Sequence, residues 1–333
     1  MDNQLIKTAM HDACIRAVTE ISADVKGLVQ AALDRETNDT AKSMLSSMLE
    51  NLDIAKAQDK AVCQSPGYPT TWISYGDGNF PSFAHDVICE ALGEATTKGY
   101  LRPSIVDPLT RHNPGNNTGE GVPNIEYQYH PGQEYVDFII SFKGCGAELG
   151  NAMKIFTTAN LKLNQDFAGL KRFVLETAIN AGGKPCPPFG IGIGIGGQMD
   201  VASKLSREAI STRKWDDTNP DPLLARLEDE LRDNINSLGL GAAGTGGDTV
   251  CLAVKIGRAA THKLPLLGGK TRRHPHLQRR PHREITVITN IHIKEICHMD
   301  KKVLTMPLKE EDVRELKIGD VVYLTGHIYT ARD

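Results

Sequence analysis

Apolar and polar positions divide the chain into stretches of different rhythm. From residue 4 to 33, Ile6, Ala9, Ala13, Ala17, Ile21, Val25, Leu28 and Ala32 recur at three- or four-residue steps, which puts them on one face of a helix. Asn38, Asp39 and Thr40 offer the next helix start, and Ala41, Met44, Leu45, Met48, Leu52 and Ala55 continue the spacing. The first 60 residues are therefore expected to form a helical layer, with no sign of chemistry in it.

The rhythm changes at Val62. Glycine and proline become frequent, and short runs of strand character appear: TTWISYG, YVDFIISF and FGIGIGIG. Helical stretches are expected between them near 84–98, 167–181, 200–211 and 221–237. Such alternation predicts an α/β (α+β mixed) fold, with the helical layer packed on a mixed sheet body that runs to about residue 262. Residues 268–283, GGKTRRHPHLQRRPHR, are basic, broken by prolines and nearly free of apolar side chains, so they read as a solvated, irregular loop. A nucleic-acid patch would want interleaved aromatics, which this run lacks. Strand character returns with ITVITNIHI, and a short helix at 310–317 is expected to lead into the apolar run VVYL. The domain reading is thus 1–284 as the main body, 285–303 as a linker, and 304–333 as the incomplete opening of a further unit.

Composition narrows the class. The chain has 333 residues, 40% hydrophobic and 24% charged, with a formal net charge of -3, so no global positive field draws it to nucleic acid or to a membrane surface. No apolar run reaches the ~18 residues that a membrane span needs. The opening MDNQLIKTAM lacks the basic-then-apolar pattern of a secretory signal, which points to the cytoplasm. The seven cysteines are odd in number and include no CxxC pair, so a disulfide scaffold is not expected.

Three places concentrate chemistry: Cys63 and Gln64 in AVCQSPG, Lys143 to Glu148 in KGCGAE, and Cys186 in KPCPP. A cysteine between prolines is held stiffly, which suits a metal ligand, and the glycine-rich strand behind it lets backbone approach something bulky. Read alone, Cys186 and Cys63 are equally well explained as small buried side chains beside turns. Gly192, Gly194 and Gly197, with Asp217 downstream, match a dinucleotide fingerprint only formally, because the glycines fall inside the strand rather than in the turn after it. Arg102 in GYLRPS is an arginine fork suited to a carboxylate. Arg111, Asn113, Asn117 and Thr118 are polar and loop-like, and Glu148 reads as a helix-start acid.

Taken together, CQxxG, LRPxxVDPLTRxNxGxNT, FKGxGxE, CPPxGIGIGIGG, NPDPxxAxLExEL and LGLGAAGTGGDT follow one another in an order and spacing that resemble the iron–sulfur, class I fumarate hydratase and L-tartrate dehydratase family over roughly residues 60–262. The ending, PLKEEDVRELKIGDVVYLTGHIYTARD, resembles the opening of that family's second, β-rich swivelling part, which other members carry fused or as a separate subunit. The resemblance implies a hydro-lyase that hydrates fumarate to malate with a [4Fe–4S] cluster, one iron of which stays open as a Lewis acid. By position, Cys63 and Cys186 are implied as cluster ligands, with Cys297 as third. Cys145, Cys251, His274, His276 and His282 remain alternatives there, because a cysteine-free run occupies the family's usual third position. Gln64, Arg102 and Gly146 are implied as substrate contacts, and His327, Thr330 and Arg332 as the acid–base end of the site. Ser65 and Pro66 stand where the family usually has Asp-Thr, and His327 where it commonly has threonine. The implied partners are a small C4 dicarboxylic acid and a beta-type subunit or C-terminal domain, in a homodimer or an α2β2 assembly. Dehydration of L-tartrate or a related hydroxy acid is the alternative activity, and an inactive, truncated or degenerate relative is the other.

Overall fold

A computed structural model describes residues 3–63 and 67–261, together with the backbone of 285–292, 302–305 and 322–325. The N-terminal layer is α1 (Asn3–Thr19), α2 (Ala23–Arg35) and α3 (Asp39–Gln58). The single helix expected over 4–33 is broken, with Ser22 extended at φ -67° and ψ 146°. Packing explains the break. Met10, Cys14 and Val18 of α1 belong to one hydrophobic core, whereas Val25, Val29 and Ala32 of α2 belong to another, with α3 and Trp215. Asp24, in the first turn of α2, accepts the Trp215 N–H at 2.8 Å, which fixes the new axis. The start of α3 follows its sequence signal: the Asn38 side chain accepts the Ala41 N–H at 3.0 Å.

The body holds two sheets. In the first, β1 (Tyr68–Tyr75) lies between β2 (Asn124–Tyr129), parallel to it, and β3 (Asp137–Lys143), antiparallel. Strand alternation gives this sheet two unlike faces. Ile73, Ile140 and Phe142 pack on α1 and on α4 (Ala84–Thr97). Thr70, Trp72, Ser141 and Lys143 share the opposite face, where Thr70, Trp72 and Lys143 are at most 5% exposed. The short helix α5 (Cys145–Leu149) follows β3 directly.

The second sheet has the order β4 (Ala152–Phe156), β7 (Ile285–His292), β5 (Phe189–Ile195), β6 (Cys251–Arg258). Its β5 and β6 are parallel, and β7 runs antiparallel to β4 and β5. Chain order places α6 (Thr158–Leu161) and α7 (Ala168–Ala181) before β5, and α8 (Met199–Thr212) and α9 (Pro222–Asn236) after it. The pattern of β5 is decided by its neighbours. Ile191 and Ile193 enter the core that includes α7 and α9. Gly190, Gly192 and Gly194 face α8, where a Cβ would lie 2.0 Å from the Ser206 carbonyl oxygen and 1.9 Å from that of Ala202. The glycines therefore serve a helix pressed onto the strand. The other half of the formal dinucleotide pattern, Asp217, is paired with Arg213 and Lys255.

Helix α8 is the layer between the two sheets. On its far side Lys204 bonds Glu126 at 2.8 Å and Glu208 accepts from Gln128 at 2.7 Å, both on β2. A second fastening joins the helical layer to the body. Glu36, 3% exposed, accepts the N–H groups of Thr37, Asn38, Asp248 and Thr249. The described parts of the C-terminal region are β7 and a parallel pair, β8 (Lys302–Thr305) and β9 (Val322–Thr325). The basic run 268–283 and the helix expected at 310–317 lie outside the described residues. Among the described residues, no helix is long and apolar enough to cross a membrane.

Candidate active site

Close backbone contacts draw three of the sequence motifs together. Gly67, which closes the CQSPG loop, has φ +83°, and a Cβ on it would lie 1.8 Å from the Lys143 carbonyl oxygen and 2.6 Å from Gly144 Cα. Gly146, one turn onward, lies against the third motif: its Cβ would fall 2.3 Å from the Lys184 carbonyl oxygen. Only glycine permits approaches this close. A fourth motif closes on the same place, because the Ala243 N–H in LGLGAAGTGG donates to the Pro187 carbonyl at 2.7 Å. The loops after α3, β3 and α7 therefore meet, and the loop before β6 supports them.

Cys63 is half-buried and Cys186 is exposed. Cys186 has φ +49°, a left-handed conformation that a non-glycine residue adopts at a cost, and its N–H donates to the Gly183 carbonyl at 3.0 Å. Cys63 lines a cavity of about 700 Å³ with Ala23, Asp24 and Lys214, and Cys186 borders a small crevice with Val25, Val29 and Trp215. Residues at the start of α2 thus stand beside each cysteine. Thiolates are the donor type of iron–sulfur clusters. Two such residues fit the implied group in kind. A third donor is not among the described residues, where no group of three His, Cys, Asp or Glu is placed to hold a metal ion.

Arg102 is exposed, and its backbone is held by Asn117, whose amide donates to the Arg102 carbonyl at 3.1 Å. Asn117, 3% exposed, also accepts the Ser104 N–H at 2.9 Å and donates to Thr96 of α4 at 2.9 Å. Among the described residues no hydrogen bond or ion pair joins Arg102 to the three converging loops. Gln64, Cys297, His327, Thr330 and Arg332 lie outside the described residues, as do His274, His276 and His282.

Sequence reasoning read Glu148 as a helix-start acid, and it does lie in the first turn of α5, but it gave no separate role to Lys143 or Arg207. Lys143, 1% exposed, is among the largest fully buried side chains, and its Nζ has no hydrogen-bond partner among the described residues. Burial pushes its ammonium down to about 7. The Glu148 carboxylate opposes that shift, and the Arg207 guanidinium adds to it. Glu148 accepts from Arg207 of α8 at 3.1 Å and from Asn151 at 3.1 Å. Arg207 Nε is buried and unpaired among the described residues as well. A signal existed in the strand: in FIISFK the lysine is in phase with Ser141, on the polar face rather than the apolar one.

The sheet-and-helix body with its meeting cysteine loops defines a class, and the relatives define it further. The profile of the family described as fumarate hydratase (Fumerase) matches residues 7–266. A protein of Methanocaldococcus jannaschii with the provisional name L(+)-tartrate dehydratase subunit alpha is 39% identical over 75% of this chain and 87% of its own length. A protein of Geobacillus stearothermophilus, provisionally named fumarate hydratase class I, is 30% identical over 98% of this chain and 68% of its own length. The L(+)-tartrate dehydratase subunit alpha of Escherichia coli strain K12 is 29% identical over 73% of this chain and 79% of its own length. The chain belongs to the fumarate hydratase (Fumerase) family, and it is an enzyme of the hydro-lyase class.

Proposed function

We propose that this chain is the cluster-bearing catalytic part of a fumarate hydratase, adding water reversibly to fumarate to give malate. The observation that carries the reading is the meeting of the CQSPG, KGCGAE and KPCPP loops through Gly67 and Gly146, in a chain of this family. Cys63 and Cys186 would hold a [4Fe–4S] cluster with Cys297 as third ligand. Such a group, when bound, supplies a Lewis acid for the substrate's carboxylate and hydroxyl. The chain's own residues bind and orient the acid: Gln64 and the Gly146 backbone donate hydrogen bonds, and Arg102 clamps a carboxylate. His327, Thr330 and Arg332 form the end of the site that handles the proton. A beta-type partner or domain excludes water from the open side, and the place of work is the cytoplasm.

L-Tartrate dehydration is the second reading, favoured by the 39% identity to a protein named as a tartrate dehydratase alpha subunit. One series of measurements tests both. The full chain is reconstituted anaerobically with iron and sulfide, its iron and sulfide are counted, and kcat/KM is measured for fumarate, L-malate and L-tartrate. Bound cluster with faster turnover of fumarate and malate is expected, and Cys63→Ser and Cys186→Ser should each lose the iron. Preference for L-tartrate would replace the first reading with the second. No stable iron and no turnover would leave an inactive relative.

A further inference from the structure

A lysine at 1% exposure, unpaired among the described residues, is an expensive thing for a fold to keep. A charged ammonium taken out of water without a partner loses its hydration uncompensated, and a methionine of similar length would avoid that cost. The Nζ of Lys143 bonds nothing among the described residues. Its described neighbours do not neutralise it either. Lys143 and Arg207 are two cationic side chains, and among the described residues Glu148, already held by Arg207 and Asn151, is the one carboxylate that acts on Lys143. The other charges of α8 facing this sheet are engaged elsewhere, Lys204 with Glu126 and Glu208 with Gln128. Among the described residues one positive charge is left over, on the residue that leads into the turn from Gly144 to Gly146.

We infer that Lys143 is the counter-charge for a dicarboxylate bound at this turn, a positioning residue that selects dianions through the field it sets up at Gly144–Gly146. The inference rests on the reading of the three meeting loops as the substrate site, and it adds a residue and a specificity that the reading does not contain. Lys143 is enclosed, so it acts across the turn rather than by touching the ligand, and in a site of low dielectric a charge at such range still counts.

The test compares the wild-type chain with Lys143→Met and Lys143→Arg. Each is titrated calorimetrically with L-malate, L-tartrate and the monocarboxylate crotonate, as isolated and after reconstitution with iron and sulfide. Thermal unfolding without ligand is recorded in parallel. The expected result is at least tenfold weaker dicarboxylate binding by Lys143→Met, unchanged weak binding of crotonate, recovery of most of the affinity by Lys143→Arg, and a Lys143→Met midpoint equal to or above wild type. Lys143→Met that binds dicarboxylates as wild type does would overturn the inference while leaving the proposed reaction intact. Lys143→Met that loses stability and affinity together, with Lys143→Arg no better, would make the lysine structural and likewise overturn it. A wild-type chain that binds neither dicarboxylate would sink the inference and the site reading together.

Discussion

Two buried lysines in this chain live under opposite conditions. Lys255 on β6 is 3% exposed, and its Nζ donates at 2.7 Å to both the carbonyl and a carboxylate oxygen of Asp217. Asp217 also takes the Arg213 fork, and Arg213 in turn pairs with Glu228, whose carboxylate accepts the Ile256 N–H at 2.8 Å. Every charge in that network has a partner inside the fold. Lys143 on β3 is at least as deeply buried and has none among the described residues. Burial by itself therefore says little about a lysine's purpose. What separates the two is whether the protein supplies the opposite charge or leaves it to come from outside.

The comparison breaks first at Lys255. Lys255→Met should destabilise the chain by about 3 kcal/mol in urea unfolding, the low end for one partner lost from a buried pair, because Arg213 still holds Asp217. Gly146→Ala attacks the other region through its backbone. With Lys184 carbonyl oxygen 2.3 Å from the new Cβ, the two loops must part. Iron retention after reconstitution and dicarboxylate affinity should both fall severalfold, measured by iron counting and calorimetry. Lys143→Met should shift stability in the direction opposite to Lys255→Met, a gain of about 1–2 kcal/mol at neutral pH, from removing an unsatisfied buried group.

The sharpest effect is in pH. Lys143 has a folded-state value of about 7 against an ordinary 10.5. Between these the unfolded chain binds the proton and the folded chain does not, so stability from this group rises with pH across that window. As pH falls through about 7 the burden is at its full size, and it stays constant below. The stability gap between Lys143→Met and wild type should therefore shrink from pH 7 towards pH 10, while the gap for Lys143→Arg should not close in that range. A gap that is flat with pH would mean the lysine is not as enclosed as the fold places it.

Much of this was written in local sequence. The helix expected near 221–237 is α9, which buries Leu224, Leu227, Leu231 and Ile235 and is capped by Asp221 with Pro222 in its first turn. The alternating glycines of β5 signalled a close approach, but the partner, α8, follows them in the chain and could not be named from the pattern alone. The break at Ser22 was hidden because its cause is a contact with Trp215, far along the sequence. β2 went unread: in NIEYQY the aromatic positions are half-exposed and the buried partners belong to neighbouring strands. In the site, Cys63 and Cys186 stood out by residue type and motif. That their loops meet rests on Gly67 touching Gly144 and on Gly146 touching Lys184, which are tertiary facts. Lys143 was visible as a letter in a motif, and its isolation became visible only when its surroundings were known.

The Glu36 carboxylate has a consequence for the order in which the molecule is made. On the ribosome the N-terminal helices emerge first, yet this carboxylate must wait for the Asp248 and Thr249 N–H groups, 212 and 213 positions later. The loop that receives it is the one that bonds Pro187 beside Cys186. The cysteine-bearing turn is therefore framed only after most of the chain has been synthesised. If Cys186 holds a cluster as proposed, one delivered to the nascent protein earlier than that would find this thiolate without a fixed address.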